Sequence, residues 1–109
     1  MKIVITASGP TVDAQVDPRF ARAPWFAVFD TDSGEVEFKD NSQNMQAAHG
    51  AGIQAGSTVA DLGASVVITG DCGPKATTAL EAAGIEIVTG PTGTVQEAYQ
   101  KFLEDRADT

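Results

Sequence analysis

The stretch ITGDCGPKA, residues 68–76, holds the chain's one cysteine, Cys72, between an acid and a Gly-Pro step. A thiol in such a place could be a nucleophile, a soft-metal ligand, or a small residue that fits a tight turn. Pro74 suits the first position of a helix, where its missing N–H costs nothing. Cys72 would then sit at a helix mouth, where the dipole is expected to lower its pKa and favour the thiolate. The chain has no second thiol and no C-x-x-C pair, which argues against a zinc or iron–sulfur centre built by protein alone. A phosphatase-like loop would call for an arginine soon after the cysteine; here Lys75 follows, and the next arginine is Arg106.

Two other places could do chemistry. His49 is the only histidine, set between Ala48 and Gly50, and could act as a ligand, a proton donor or a capping side chain. The segment Asp17-Pro18-Arg19-Phe20-Ala21-Arg22 puts two arginines three apart around a phenylalanine. If it forms one turn, both guanidinium groups can point to one side while Phe20 packs inward; the alternative is a solvated loop anchored by one aromatic. Asp13, Asp17 and Asp71 could approach one another, but no carboxylate pair has a spacing diagnostic of acid–base catalysis.

The elements that must position these residues follow from the apolar pattern. Lys2–Ala7 is a β-branched run and reads as a buried first strand. Residues 8–23 carry Gly9, Pro10 and Pro18 without periodicity, so they form a long loop. Trp25–Asp30 is a second strand, Thr31–Gly34 a hairpin turn, and Val36–Lys39 a third strand. Residues 41–52 are irregular; Ile53–Leu62 reads as a helix of small residues closed by Gly63. Ser65–Thr69 is almost wholly apolar, as expected for a strand covered on both faces. Pro74–Ala83 has a helical stripe of Ala76, Ala79, Leu80 and Ala83, ended by Gly84, and Ile85–Val88 is a fifth strand. Thr94 and Glu97 have the spacing of a capping box, opening a helix with Val95, Ala98, Tyr99, Phe102 and Leu103 on one face. Arg106–Thr109 is expected to be a frayed tail.

The order β, ββ, α, β, α, β, α predicts a single α/β domain over residues 1–105. Its sheet is five-stranded and mixed, with one antiparallel hairpin strand and helices on both faces. Ligands of such sheets collect beyond the carboxyl ends of the parallel strands. Segments 8–23, 41–52, 70–75 and 90–93 should converge there, bringing Arg19, Arg22, Lys75 and His49 to glycine-rich turns that feed helix N-termini. With 109 residues and a formal net charge of −8, the chain is too small for two cores and too acidic for general nucleic-acid or anionic-membrane binding. A single cysteine and no secretory signal suit the cytoplasm. Hydrolysis with magnesium, known on comparable sheets, would need carboxylates on the central strands; KIVITA has none, and the fourth strand ends in Thr69 and Gly70.

The succession VDPRFARAPWFAVFD, AAHGAGIQAG, VVITGDCGPKA and LEAAGIEIVTG resembles the dinitrogenase iron–molybdenum cofactor biosynthesis family over roughly residues 1–103, in its short free-standing form. The resemblance implies a ribonuclease-H-like three-layer fold. It also implies non-covalent carriage of an anionic metal–sulfur cluster, either a molybdenum–copper sulfide cluster or an iron–molybdenum cofactor precursor, in a scaffold rather than a catalyst. Carried over by position, the contacts would be Arg19, Phe20, Arg22, His49, Gly50, Gly52, Gly70, Cys72, Gly73 and Pro74. Ala21 stands where glycine is common and Cys72 where relatives often have an aliphatic residue, so the thiol could coordinate a soft metal such as copper or merely fill the same space. The expected partners are the cluster and ATPases of the same pathway, with the chain a monomer or weak homodimer. The alternative is a metal-free interaction module working through those ATPases.

Overall fold

A computed structural model describes residues 1–42 and 50–107. Five strands form one sheet in the order β3-β2-β1-β4-β5: β1 (Lys2–Ala7), β2 (Trp25–Asp30), β3 (Val36–Asp40), β4 (Ala64–Thr69) and β5 (Glu86–Thr89). β1 pairs in parallel with β4, and β4 with β5, while β2 runs antiparallel to both β1 and β3. The mixed sheet with one reversed strand is as the element order predicts. The reversal is made by a tight turn in which the Asp30 carbonyl accepts the Gly34 N–H at 2.8 Å. Gly34 sits at φ 77°, a conformation that costs other residues strain.

Among the described residues, three helices cover the sheet: α1 (Ala51–Asp61), α2 (Pro74–Ala82) and α3 (Val95–Ala107). Alternation along the strands divides the core in two. Ile3, Ile5, Ala27, Phe29, Val66 and Ile68 face α3, meeting Val95, Ala98 and Phe102. Val4, Phe26, Val28 and Val67 face the other way, toward Ala55 and Val59 of α1 and Ala76 and Leu80 of α2.

The capping box at α3 forms reciprocally: Glu97 N–H donates to the Thr94 hydroxyl at 3.1 Å, and Thr94 N–H to Glu97 Oε1 at 2.9 Å. Two expectations need correction. Leu103 was placed on the inward stripe of α3, yet it is 37% exposed, because the 3.6-residue period carries it past the edge of the buried face. The helix also runs through Arg106, where a tail was expected to begin. Arg106 is held there by an ion pair with Glu86 and by stacking over the Phe102 ring at 4.9 Å.

Candidate ligand-binding rim

Beyond the carboxyl ends of β1, β4 and β5, the loop 8–23 is tied down rather than free. Its anchor is Asp17, buried at 4% exposure. Asp17 N–H donates to the Thr6 carbonyl at 2.9 Å, and the Asp17 carbonyl accepts the Thr6 hydroxyl at 2.8 Å and the Gly70 N–H at 3.4 Å. The Thr6 oxygen lies 2.9 Å from that of Thr69, which can donate to it, so both buried hydroxyls are satisfied. Just upstream, Val16 N–H reaches the Gly93 carbonyl at 2.9 Å, and Gly90 N–H reaches the Thr69 carbonyl at 3.1 Å. Segments 8–23, 70–75 and 90–93, three of the four expected to converge, therefore meet at one rim; most of 41–52 lies outside the described residues.

Phe20 packs inward at 1% exposure and stacks on Phe26 with centroids 5.7 Å apart. Arg19 and Arg22 stay exposed. Arg19 is constrained: the Asp17 carboxylate accepts its N–H at 2.9 Å, its Nε at 3.2 Å and its Nη2 at 3.4 Å. Its backbone bridges to Asp71, and the Phe20 N–H donates to the Asp71 carbonyl at 3.2 Å. The first loop thus lies against the turn that opens α2.

Helices α1 and α2 start side by side. Gly50 caps α1 at φ 73° and Gly73 caps α2 at φ 79°, ψ 158°; neither mouth has a side-chain cap. Glycine supplies no capping side chain at either mouth, and first-turn N–H groups in such a setting favour an anion. Pro74 occupies the first turn of α2, as predicted. The close start is permitted by Gly52, where an added Cβ would lie 3.2 Å from the Ala76 nitrogen, and by Gly56, where it would lie 3.1 Å from Ala79 Cβ. Gly70 has a packing role of the same kind, since a Cβ there would come within 2.5 Å of Pro18 Cα.

Cys72 is half-buried and packs against the α1–α2 core. The expected lowering of its pKa is reversed. Burial pushes the thiol up, Asp71 adds to the rise, and a hydrogen bond with Thr77 offsets only part of it. Loss of water around the sulfur is the largest cause of the rise.

Two hollows open here. One of about 430 Å³ is lined by Val16, Pro18, Gly70, Asp71 and the Gly90–Gly93 turn. The other, about 530 Å³ and mostly apolar, lies between α1 and α2 along Ile53, Pro74, Lys75 and Thr78. Among the described residues, no group of three His, Cys, Asp or Glu side chains could hold a metal ion. Among the described residues the donors at hand are N–H groups, the exposed cations Arg19, Arg22 and Lys75, and one thiol. They fit a guest that brings its own sulfide ligands rather than a bare ion.

Of the ten residues expected at the site, the structure gathers Arg19, Phe20, Gly70, Cys72, Gly73 and Pro74 around the β4–α2 turn, and Gly52 is pressed against Ala76 beside it. Gly50 is at the mouth of α1, and Arg22 is two residues beyond Phe20. His49 lies outside the described residues. Asp17 was weighed only as a scattered carboxylate. The signal for its role was local: an Asp two residues before an arginine makes an Asx-turn to that residue's N–H.

The family model for the dinitrogenase iron–molybdenum cofactor matches residues 1–105. The apo form of the orange protein from Desulfovibrio gigas is 45% identical with a TM-score of 0.92, over 95% of this chain and 88% of that one. A NifB-like Thermotoga protein of the DUF35 family, solved by NMR, is 35% identical with a TM-score of 0.85, over 96% of this chain and 89% of its own. An uncharacterized protein of Methanocaldococcus jannaschii is 27% identical over 99% of this chain and 90% of its own length. With the match running almost end to end, this chain belongs to the dinitrogenase iron–molybdenum cofactor family.

Proposed function

We propose that this chain is a carrier or scaffold that holds an anionic, molybdenum-containing metal–sulfur cluster without covalent attachment, and that it is not a catalyst. One observation carries the reading. Two helix mouths without side-chain caps meet Arg19 and Lys75 at one rim of a chain whose formal net charge is −8. Only a local array of donors makes such a molecule attractive to an anion. The guest, a molybdenum–copper sulfide cluster or an iron–molybdenum cofactor precursor, supplies its own sulfides. Backbone N–H groups and the cations balance its charge, and the apolar groove shields one side from water. Cys72, neutral and half-buried, lines the mouth as an auxiliary contact rather than an obligatory ligand. Family membership and the likeness to the orange protein support the reading. We take the fold to be ribonuclease-H-like, the location cytoplasmic, and the chain a monomer or weak homodimer.

The test is oxygen-free reconstitution with tetrathiomolybdate, with and without copper(I), followed by desalting and molybdenum analysis. Retained molybdenum with a visible absorption band is expected, together with a higher melting temperature, since a ligand of the folded state stabilises it by mass action. Elution free of molybdenum under both conditions would overturn the proposal. The paired substitution Arg19→Ala with Arg22→Ala should weaken uptake about tenfold, or roughly 1.4 kcal/mol, and leave the fold intact by circular dichroism. Unchanged affinity would remove both arginines from the site. Cys72→Ala should still take up molybdenum. A second reading, docking of a partner ATPase, is favoured by Ile53, 54% exposed beside the apolar groove. It predicts that Ile53→Asp abolishes partner binding in a chain that takes up no metal.

A further inference from the structure

We infer that Asp17 is a positioning residue: buried beneath the rim, it fixes the Arg19 guanidinium beside the β4–α2 turn, so that an anionic guest meets a pre-oriented donor. The inference rests on the carrier reading above and goes on to say how the site gains its order. A buried carboxylate is costly unless it is paired. Asp17 is 4% exposed, and its carboxylate accepts three bonds from Arg19: the backbone N–H at 2.9 Å, Nε at 3.2 Å and Nη2 at 3.4 Å. The Asp17 backbone is in turn fixed to Thr6 at the end of β1 and to Gly70 at the end of β4. Position therefore passes from two central strands, through one carboxylate, to one guanidinium.

That guanidinium is not used up. Arginine has five N–H donors, and the carboxylate engages one on Nε and one on Nη2, leaving three. The Arg19 side chain is 60% exposed against 6% for Asp17, so the remaining donors belong to the solvent side of the pair. Gly70 is glycine for the same reason that the clamp works: Pro18, between the two partners, lies directly on it.

An acid beneath an anion site has two opposed effects. Its charge repels the guest, and its hydrogen bonds remove rotamer freedom from a side chain that has much to lose. The repulsion acts past an arginine that neutralises the acid and through a solvent-facing surface where charge is screened. The ordering is undiluted, so it wins.

The experiment is a double-mutant cycle read by oxygen-free titration with tetrathiomolybdate alone, followed by quenching of Trp25, the only tryptophan. Asp17→Asn keeps an acceptor for the Arg19 N–H but loses the charged bonds to Nε and Nη2. It should weaken binding five- to tenfold in the unaltered chain and have no further effect in Arg19→Ala. An Asp17→Asn chain that binds equally or more tightly overturns the inference, and so does an equal loss in both backgrounds, which would mark a merely structural role. Should Asp17→Asn fail to fold, Arg19→Lys decides. It keeps the charge without the planar fork and is expected to bind about as weakly as Arg19→Ala; binding at the unaltered level overturns the inference. If the unaltered chain takes up no molybdenum with or without copper(I), the carrier reading fails and this inference with it; failure of the cycle alone leaves the carrier reading standing.

Discussion

On one face of the sheet α3 is held by large side chains, Phe29 stacked on Tyr99 with centroids 4.0 Å apart and Phe102 beside them, whereas on the other α1 meets α2 along Gly52, Gly56, Ala76 and Ala79. The contrast separates stability from function. Aromatic burial supplies much apolar area per residue and tolerates a wide helix-to-sheet gap. Small residues supply little area, but they let two helices start almost in contact and so place two N-termini at one rim. The face that carries the candidate site is the one packed for closeness.

Breaking the aromatic face should have the largest effect. Phe102 is 7% exposed, and Phe102→Ala removes a ring from the α3 core at an expected cost of about 3–5 kcal/mol in chemical denaturation. Tetrathiomolybdate binding by the fraction still folded should be unchanged. A loss below about 1 kcal/mol would show that α3 is not needed to hold this face. Breaking the small-residue seam should cost less stability and more binding. Gly52→Val forces a branched side chain against Ala76, whose nitrogen would be 3.2 Å from the new Cβ, at an expected cost of about 1–3 kcal/mol. Separating the helix mouths should weaken uptake even at temperatures where the variant is fully folded. Full binding in a folded Gly52→Val chain would divorce the seam from the site.

A smaller change sharpens the comparison. Thr94→Ala removes the hydroxyl that caps α3 and should cost about 1 kcal/mol, while the backbone bonds from the α3 mouth to the first loop stay in place. Its effect on tetrathiomolybdate binding at low temperature should be nil, because α3 contributes no group to the β4–α2 turn. A binding defect from this variant would mean that the two faces are coupled.

Much of the fold was legible because local signals agreed with the global pattern. β4 read as a strand covered on both faces from Ser65–Thr69, of which Val66–Thr69 are buried, and the Thr94–Glu97 spacing marked the start of α3. The site was legible as loops and not as contacts. Phe20 was expected inward and is, since one large apolar residue among polar ones has only one favourable place. The anchoring role of Asp17 was not legible, because its burial depends on Thr6 and Gly70, far away in the chain. Gly52 and Gly70 read as ligand contacts and Gly56 as one small residue of a helix, while their common property, a neighbour too close for a Cβ, is tertiary. Cys72 was misjudged electrostatically for the same reason: dipole position can be read from Gly-Pro, but desolvation cannot.

That last point yields the smallest and most local prediction. Burial raises the Cys72 thiol, so in the folded chain the thiolate should appear at higher pH than in the denatured chain. Between those two midpoints the folded state keeps a proton that the unfolded state has lost, so stability falls as pH rises through the window. Alkylation by iodoacetamide, followed against pH, should therefore show a later midpoint when folded. Thr77→Val removes the hydrogen bond that favours the thiolate and should move the midpoint up further. Asp71→Asn removes a repelling charge and should move it down by less. A folded midpoint below the denatured one would show that the α2 mouth outweighs burial after all. Cys72 would then be a thiolate at neutral pH, and its place in the site would change from lining residue to ligand.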